Sequence, residues 1–182
     1  MRIYNNTNLV NKKFLNAVIA IGNFDGVHLG HQELLNKAYI FSRKLRKKFG
    51  IFTFDPLPKD FFNGTDNKIL NISEKVDIVK KFGADFFIKQ IFNRNFSKIS
   101  REDFINKILF KRLKIHKSKV LVIGDNLNTD ISGANNFNVK NLFIAGGIHK
   151  PEWSKKNISL ANFVIEKNKY FKINYFQNEL IW

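Results

Sequence analysis

The stretch Ala17–Gln32, AVIAIGNFDGVHLGHQ, decides how the front of this chain folds. Its first five residues are apolar and mostly branched, which is typical of a buried parallel strand. Glycines at positions 22 and 26 then indicate a turn, and a helical pattern begins at Leu29. A strand, a glycine-rich turn and a helix place a phosphate against the free N–H groups of the helix N-terminus. The stretch therefore predicts a phosphate-binding turn.

Two histidines, His28 and His31, lie in this turn with Gly30 between them. Imidazole groups can donate hydrogen bonds to the charge that develops when a phosphoanhydride bond breaks. Gly30 has no side chain, so phosphate oxygens can approach the main chain there. The alternative interpretation is that the histidines only cap the helix.

The H-x-G-H pattern of these histidines resembles the signature of the nucleotidylyltransferases, which attack the α-phosphate of ATP and release pyrophosphate. The longer string Gly22–His31, GNFDGVHLGH, resembles the N-terminal module of the bacterial bifunctional riboflavin kinase/FAD synthetases. The resemblance implies an α/β fold with a Rossmann-like parallel sheet and helices on both faces. It also implies the transfer of AMP from ATP to FMN, which gives FAD and pyrophosphate and depends on Mg²⁺.

The resemblance implies a role for each residue that matches it. His28 and His31 would hold the ATP phosphates and stabilise the pentavalent transition state, and Asp25 would orient a histidine or the substrate. The implied nucleotide-binding turn consists of Gly22, Asn23, Phe24, Asp25, Gly26 and Gly30. A Thr-Phe-Asp-Pro-x-Pro stretch, which begins in the predicted second strand Ile51–Phe54 and continues past its end, resembles the border of the family's flavin site. Its implied flavin-binding residues are Thr53, Phe54, Asp55, Pro56 and Pro58.

The rest of the front part predicts alternating strands and helices. Apolar residues recur at helical spacing over residues 29–48, and Gly50 is expected to end that helix. A second helix is expected over Ser73–Phe82, with its first residue as the cap. The segment Phe61–Leu70 is expected to be a loop. The likeness to the FAD synthetase module continues to about Ile115.

The last third of the chain, about 120–182, has a different resemblance. Gly124–Asn135, GDNLNTDISGAN, resembles the fourth motif of haloacid dehalogenase-like phosphatases. That resemblance implies Mg²⁺ ligation by Asp125 and Asp130, if such a site is functional. Those phosphatases also need a D-x-D motif after the first strand, whose first aspartate is the nucleophile. The corresponding turn has Asp25, but position 27 is valine where the motif requires a second aspartate. We therefore expect no autonomous phosphatase activity.

The chain is thus expected to have two parts: residues 1–118 resemble a nucleotidylyltransferase, and residues 119–182 resemble a haloacid dehalogenase. Both are expected to pack into the same α/β domain. The arginine-bearing phosphate-binding phrase of the FAD synthetase module is missing from the second part, so weak turnover is expected. Three functions stay open: an FMN adenylyltransferase, a non-catalytic domain that binds nucleotide or flavin phosphate, and a fragment of an Mg²⁺-dependent phosphatase.

Composition narrows the class of protein and its partners. The chain has 182 residues of which 44% are hydrophobic, which predicts a folded core, and it has no cysteine, which excludes disulfides. Its net charge of +16 comes from lysines spread among many Asn, Ile and Phe residues, a set that AT-rich genes favour. This composition accounts for the charge, so we expect no nucleic-acid partner, and no apolar run is long enough to cross a membrane. ATP and FMN are the partners that the resemblance to the FAD synthetases implies. A cytoplasmic location is expected, and the oligomeric state stays open.

Overall fold

The computed structural model describes residues 1–179 and divides the chain into two units, Met1–Ile115 and His116–Trp182. This division lies close to the boundary expected between residues 118 and 119, and the packing of both parts into one domain stays a prediction. Residues 180–182, at the end of the segment with the second resemblance, lie outside the described residues. None of the helices in residues 1–179 is long and apolar enough to cross a membrane.

Four parallel strands form the sheet of the first unit, in the order β1-β4-β3-β2. These strands are β1 (Arg2–Tyr4), β2 (Val18–Ile21), β3 (Phe49–Asp55) and β4 (Phe86–Ile91). The first five residues of β3 are all buried, as expected for an inner strand that is covered on both faces. The parallel, Rossmann-like sheet predicted from the sequence is confirmed.

Helices and short turns connect these strands. The helices are α1 (Leu29–Lys44), α2 (Pro58–Asn63), α3 (Ile72–Lys81) and α4 (Arg101–Asp103), which continues as a π-helix over Phe104–Arg112. Three short 3₁₀ turns lie at Thr7–Leu9, Lys12–Phe14 and Phe96–Lys98.

Side chains of β3 alternate between two hydrophobic cores, one on each face of the sheet. Ile51 packs in one core with Leu35 of α1 and Val79 of α3. Phe52, the next residue, packs in the other core with Leu109 of the π-helix. Helices therefore cover both faces of the sheet, which confirms the predicted fold class.

The end of α1 differs from the prediction. The helix ends at Lys44, and Arg46 follows in the left-handed region with a φ of 52°. Gly50 was expected to end the helix, but it lies inside β3 and pairs with Phe86 of β4. The helix is therefore four residues shorter than the apolar pattern over 29–48 predicts, because the chain turns after Lys44.

The connection between β3 and α3 also differs from the prediction. Part of the expected loop Phe61–Leu70 is helical, because α2 begins at Pro58, a residue that is favourable in the first turn of a helix. Asn71 rather than Ser73 caps α3. The Asn71 side chain accepts a hydrogen bond from the N–H of Glu74, and the Glu74 carboxylate accepts one from the N–H of Asn71.

Three parallel strands form the sheet of the second unit, in the order β5-β6-β7. These strands are β5 (Leu121–Gly124), β6 (Lys140–Ile144) and β7 (Tyr175–Gln177). The helical segments are a 3₁₀ turn (Lys117–Lys119), a π-helix (Leu127–Ile131), α5 (Ser132–Asn136), α6 (Lys150–Ser154) and α7 (Leu160–Lys167). The core of this unit includes Ile131, Phe143 and Phe163.

Candidate nucleotide-binding site

The turn between β2 and α1 has an uncommon backbone that buried side chains hold in place. Phe24 and Val27 have φ values of 48° and 38°, and Gly26 has a φ of 72°. Positive φ values cost free energy in residues other than glycine. Phe24 and Val27 are almost completely buried, and both belong to the core that contains side chains of α1 and α3. Core packing therefore fixes the shape of this turn.

His28 and His31, the two predicted catalytic residues, are in contact. Their rings stack with centroids 3.7 Å apart and an interplanar angle of 24°. A Cβ atom at Gly30 would come to 3.4 Å from ring atoms of His28. His28 occupies the N-cap position of α1, but within residues 1–179 its side chain makes no capping hydrogen bond. A helix-capping role for the His28 side chain would require this hydrogen bond, so the structure does not support the alternative that the histidines only cap the helix.

His31 is a neutral histidine with an unused polar atom. Its Nδ1 atom is buried, and no group in the described part of the chain forms a hydrogen bond with it. The ring of Phe24 lies 5.2 Å from the His31 ring. Burial, assisted by the neighbouring His28 and Lys75 and opposed by Asp25, lowers the pKa of His31 from 6.5 to about 4. Near pH 7 the ring is therefore neutral and carries one N–H donor and one acceptor.

The first turn of α1 supplies main-chain donors beside the histidines. The N–H of Gln32 donates to the carbonyl of His28 at 3.0 Å, and the preceding N–H groups have no carbonyl one turn earlier in the helix to reach. The Gln32 side chain donates to the carbonyl of Val27 at 2.9 Å, which ties the turn to the helix. A helix N-terminus carries a partial positive charge. This end of α1 can therefore bind an anion such as a phosphate.

The carbonyl of Asn23 accepts two side-chain hydrogen bonds at the base of the turn. The Thr53 hydroxyl donates to it at 3.1 Å, and the Lys75 ammonium donates at 2.8 Å. Thr53 was implied to be a flavin-binding residue, and the structure shows it buried on β3 and bonded to the predicted nucleotide-binding turn. Lys75 was not predicted to belong to the site. In the sequence, its spacing of four residues from Val79, which is buried, is a signal that could have placed Lys75 on the inner face of α3.

Asp25 is hydrogen-bonded to the segment that precedes α3. Its Oδ1 atom accepts hydrogen bonds from the N–H groups of Ile69, at 3.0 Å, and Leu70, at 3.3 Å. The Ile69 side chain lies close to Gly26, where a Cβ atom would come to 3.3 Å from it. The carboxylate thus holds this segment against the turn. Its implied role of orienting a histidine or the substrate stays a prediction.

Phe54, another of the implied flavin-binding residues, belongs to a cluster of phenylalanines. Its ring centroid lies 5.6 Å, 5.9 Å and 5.8 Å from those of Phe92, Phe96 and Phe104. Phe61 of α2 joins the cluster at 5.3 Å from Phe92, and the neighbouring Phe62 is 67% exposed. A partly exposed aromatic surface of this kind can stack on a planar ring.

The remaining implied flavin-binding residues connect β3 to α2. Asp55 ends β3, and its carboxylate oxygens lie 3.7 Å from Nζ of Lys68 and 3.8 Å from Nζ of Lys89. Pro56 is partly exposed, and Pro58 is the first residue of α2. Asp55, Pro56 and Pro58 therefore lie in the chain between Phe54 of β3 and Phe61 of α2, which both belong to the phenylalanine cluster.

The carboxylates of the second glycine turn accept main-chain hydrogen bonds, Asp130 from its own turn and Asp125 from the loop after β6. Asp125 accepts a hydrogen bond from the N–H of Ile148, and Asp130 accepts one from the N–H of Asn126, each at 3.1 Å. Across residues 1–179, no group of three or more His, Asp or Glu side chains is placed to hold a metal ion. The Mg²⁺ site implied for Asp125 and Asp130 stays a prediction.

The parallel sheet with helices on both faces and the glycine turn with paired histidines define an α/β domain of the nucleotidylyltransferase type. The family model described as FAD synthetase matches residues 10–146. The chain belongs to the FAD synthetase family. The match extends past the predicted junction near residue 118 and includes the strands β5 and β6.

Curated relatives of the chain are bifunctional riboflavin kinase/FMN adenylyltransferases. One from Buchnera aphidicola (subspecies Schizaphis graminum) is 37% identical over 112 residues, which are 60% of this chain and 35% of the relative. One from Escherichia coli K12 is 33% identical over 112 residues, 60% of this chain and 34% of the relative. The chain therefore spans about a third of the length of these relatives.

A solved structure of similar fold supports the architecture alone. This structure, described as a macrolide-efflux protein from Streptococcus pneumoniae, matches with a TM-score of 0.60 and 21% sequence identity. The likeness covers 78% of this chain and 48% of that one.

Proposed function

We propose that the chain transfers AMP from ATP to FMN and produces FAD and pyrophosphate. The observation that carries this proposal is the state of His31, a neutral imidazole stacked on His28 whose buried Nδ1 has no partner within residues 1–179. Buried polar atoms in proteins are nearly always hydrogen-bonded, so an unused one indicates a place for a ligand or a water. The names of the relatives support ATP and FMN as the substrates.

In the proposed reaction, a phosphate oxygen of FMN attacks the α-phosphorus of ATP. The bond from the α-phosphorus to the oxygen that bridges to the β-phosphate breaks, and pyrophosphate leaves with that electron pair. The protein supplies no nucleophile, so it accelerates the reaction by positioning the two phosphates and stabilising their charge. The first N–H groups of α1 and the rings of His28 and His31 are the proposed donors.

The lowered pKa of His31 suits this role. With a pKa of about 4, the ring keeps the same protonation state across the physiological range, where a histidine of ordinary pKa would change its charge. It therefore presents a constant hydrogen-bond donor to a phosphate oxygen. His28, stacked on it, is the second proposed donor.

The residues around the histidines do not form a closed Mg²⁺ site. The nearby Asp25 already accepts two main-chain hydrogen bonds, and Asp55 lies beside two lysines. Mg²⁺ in proteins commonly keeps several waters and is held by few carboxylates together with substrate phosphates. We propose that Mg²⁺ arrives bound to ATP, where it would neutralise phosphate charge. The implied ion at Asp125 and Asp130 has no part in this mechanism.

We propose that the flavin ring of FMN stacks on the phenylalanine cluster, bordered by the segment from Thr53 to Pro58. Thr53 and Phe54 are consecutive residues of β3, so their side chains lie on opposite faces of the sheet: Thr53 bonds to the histidine turn, and Phe54 belongs to the phenylalanine cluster. An aromatic surface at one end and phosphate donors at the other match the two ends of FMN. The cytoplasmic location expected from the sequence stays a prediction.

The test is the formation of FAD by the purified chain with FMN, ATP and Mg²⁺, separated by chromatography. We expect FAD from the parent, and a loss of about a hundredfold or more in the variant His28→Ala/His31→Ala. His116→Ala, which replaces an exposed histidine of the second unit, is the matched control and should retain activity.

Other outcomes separate the remaining candidates. Without FAD, ATP binding that is lost in the double variant would favour a non-catalytic binding domain. Phosphate release from ATP that disappears in Asp125→Asn would favour the phosphatase candidate. If the parent neither makes FAD nor binds ATP, the adenylyltransferase proposal is wrong.

A further inference from the structure

Lys75 is a buried lysine on α3. Only 1% of its surface is exposed, and within the described residues its ammonium forms no ion pair with a carboxylate. Burial lowers the pKa of Lys75 and outweighs the charges of Asp25 and Asp55, which raise it. Burying an ammonium group without a contacting carboxylate costs free energy. A structural or functional benefit must offset this cost.

The ammonium group of Lys75 is directed at one carbonyl, that of Asn23, to which it donates at 2.8 Å. Asn23 directly precedes Phe24, the residue at which the chain enters the left-handed region. Lys75 therefore fixes the peptide plane at the start of the turn. This orientation carries the Phe24 ring into the core, where it lies 5.2 Å from the ring of His31.

Lys75 also contributes to the electrostatic surroundings of His31. The groups that act on this ring are His28, which is stacked on it, Lys75 from α3 and Asp25 from the turn. The positive charge of Lys75 disfavours a second positive charge on His31. The same side chain thus fixes the backbone of the turn and favours the neutral form of the histidine.

We infer that Lys75 is a positioning residue for adenylyl transfer: by holding the Asn23 carbonyl, it fixes the turn so that His28 and His31 face the ATP phosphates. This inference rests on the proposed function. It requires no contact between Lys75 and the substrate. Lys75 is a helix residue 52 positions along the chain from its acceptor, so it ties α3 to the nucleotide turn.

The test compares Lys75→Met with Lys80→Met in the full chain, since Lys80 is an exposed lysine on the same helix. In Lys75→Met we expect the pKa of His31, measured by NMR titration of the histidine rings, to rise above about 4 and to stay below 6.5, because burial and His28 still lower it. We expect the rate of FAD formation to fall about a hundredfold, since small displacements of catalytic groups have effects of that size. ATP binding, measured by calorimetry, should weaken. Lys80→Met should match the parent in all three, and Lys75→Arg should recover part of the loss.

A folded Lys75→Met with the pKa of His31 and ATP binding of the parent would overturn the inference. Circular dichroism and the melting temperature establish whether the variant is folded. If neither Lys75→Met nor Lys75→Gln folds, Lys75 serves the stability of the whole unit, and the inference is also wrong. A parent that binds ATP but makes no FAD would contradict the proposed function alone, because ATP binding and the His31 titration still test Lys75. A parent that does not bind ATP would contradict both.

Discussion

The chain contains two glycine turns that follow short parallel strands, and their polar groups differ in how they are used. In the first turn, the Nδ1 atom of His31 is buried and has no partner in the part of the chain that the structure describes. In the second turn, Asp130 accepts a hydrogen bond from the main-chain N–H of Asn126 in the same turn, and Asp125 accepts one from the N–H of Ile148 in the loop after β6. Similar strand-turn patterns therefore lead to different chemistry.

The difference shows which kind of polar group indicates a ligand site. A carboxylate that accepts main-chain hydrogen bonds lowers the free energy of the fold without a ligand. A buried imidazole nitrogen without a partner leaves that loop with a group that a ligand can satisfy. At the first turn, Thr53 of β3 and Lys75 of α3 donate to the main-chain carbonyl of Asn23 and not to a histidine ring.

The largest effect should come from removing the unused nitrogen. We predict that His31→Ala lowers the rate of FAD formation by about a hundredfold to a thousandfold, as found for single donors that stabilise developing charge. The measurement is the turnover rate at saturating ATP and FMN, with circular dichroism to verify the fold. If His31→Ala keeps more than half of the activity of the parent, the unpaired nitrogen of His31 does not take part in the reaction, and the contrast between the two turns has no functional meaning.

The contrast between the turns explains how far the sequence could predict the site. The apolar run, the glycines and the histidines of the first turn all lie within residues 17–32, so this one stretch predicted the strand, the turn and the start of α1. The acceptor of Lys75 is a main-chain carbonyl, which every residue has and no pattern reveals. The end of α1 was missed because Arg46 takes a left-handed conformation that its residue type does not predict. Asp125 and Asp130 were predicted from a motif, but their hydrogen bonds depend on where the loop residue Ile148 lies.

The burial of His31 predicts a dependence of stability on pH. Because its pKa is about 4 in the folded chain and 6.5 when unperturbed, the unfolded chain binds a proton between these values and the folded chain does not. The free energy of unfolding should therefore fall as the pH drops from 6.5 to 4. Allowing for solvent screening, we expect about 1 kcal/mol from this residue. Urea unfolding at pH 7 and pH 5 should show a smaller fall for His31→Asn than for the parent. An equal fall in both would contradict the assignment, and His116→Asn is the control.

Removing one of the two donors to Asn23 should have an effect of similar or smaller size. Thr53→Val keeps the shape of the buried side chain and removes the hydroxyl that donates at 3.1 Å. We predict a loss of about 1 kcal/mol in the free energy of unfolding, the usual value of one hydrogen bond. Thr53→Ser, which retains the hydroxyl, is the matched variant for urea unfolding. If Thr53→Val is as stable as Thr53→Ser, the hydroxyl does not hold the turn.

The smallest effect should come from the second turn. Asp125→Asn and Asp130→Asn each keep an oxygen that can accept the same main-chain hydrogen bond, and the proposed mechanism uses neither carboxylate. We predict that both variants form FAD within about twofold of the parent and lose about 0.5 kcal/mol or less in the free energy of unfolding. FAD formation is measured beside that of His31→Ala. A loss in Asp125→Asn comparable to that in His31→Ala would place the second turn in the reaction. It would then favour the Mg²⁺ role that the resemblance to haloacid dehalogenase-like phosphatases implied for this carboxylate.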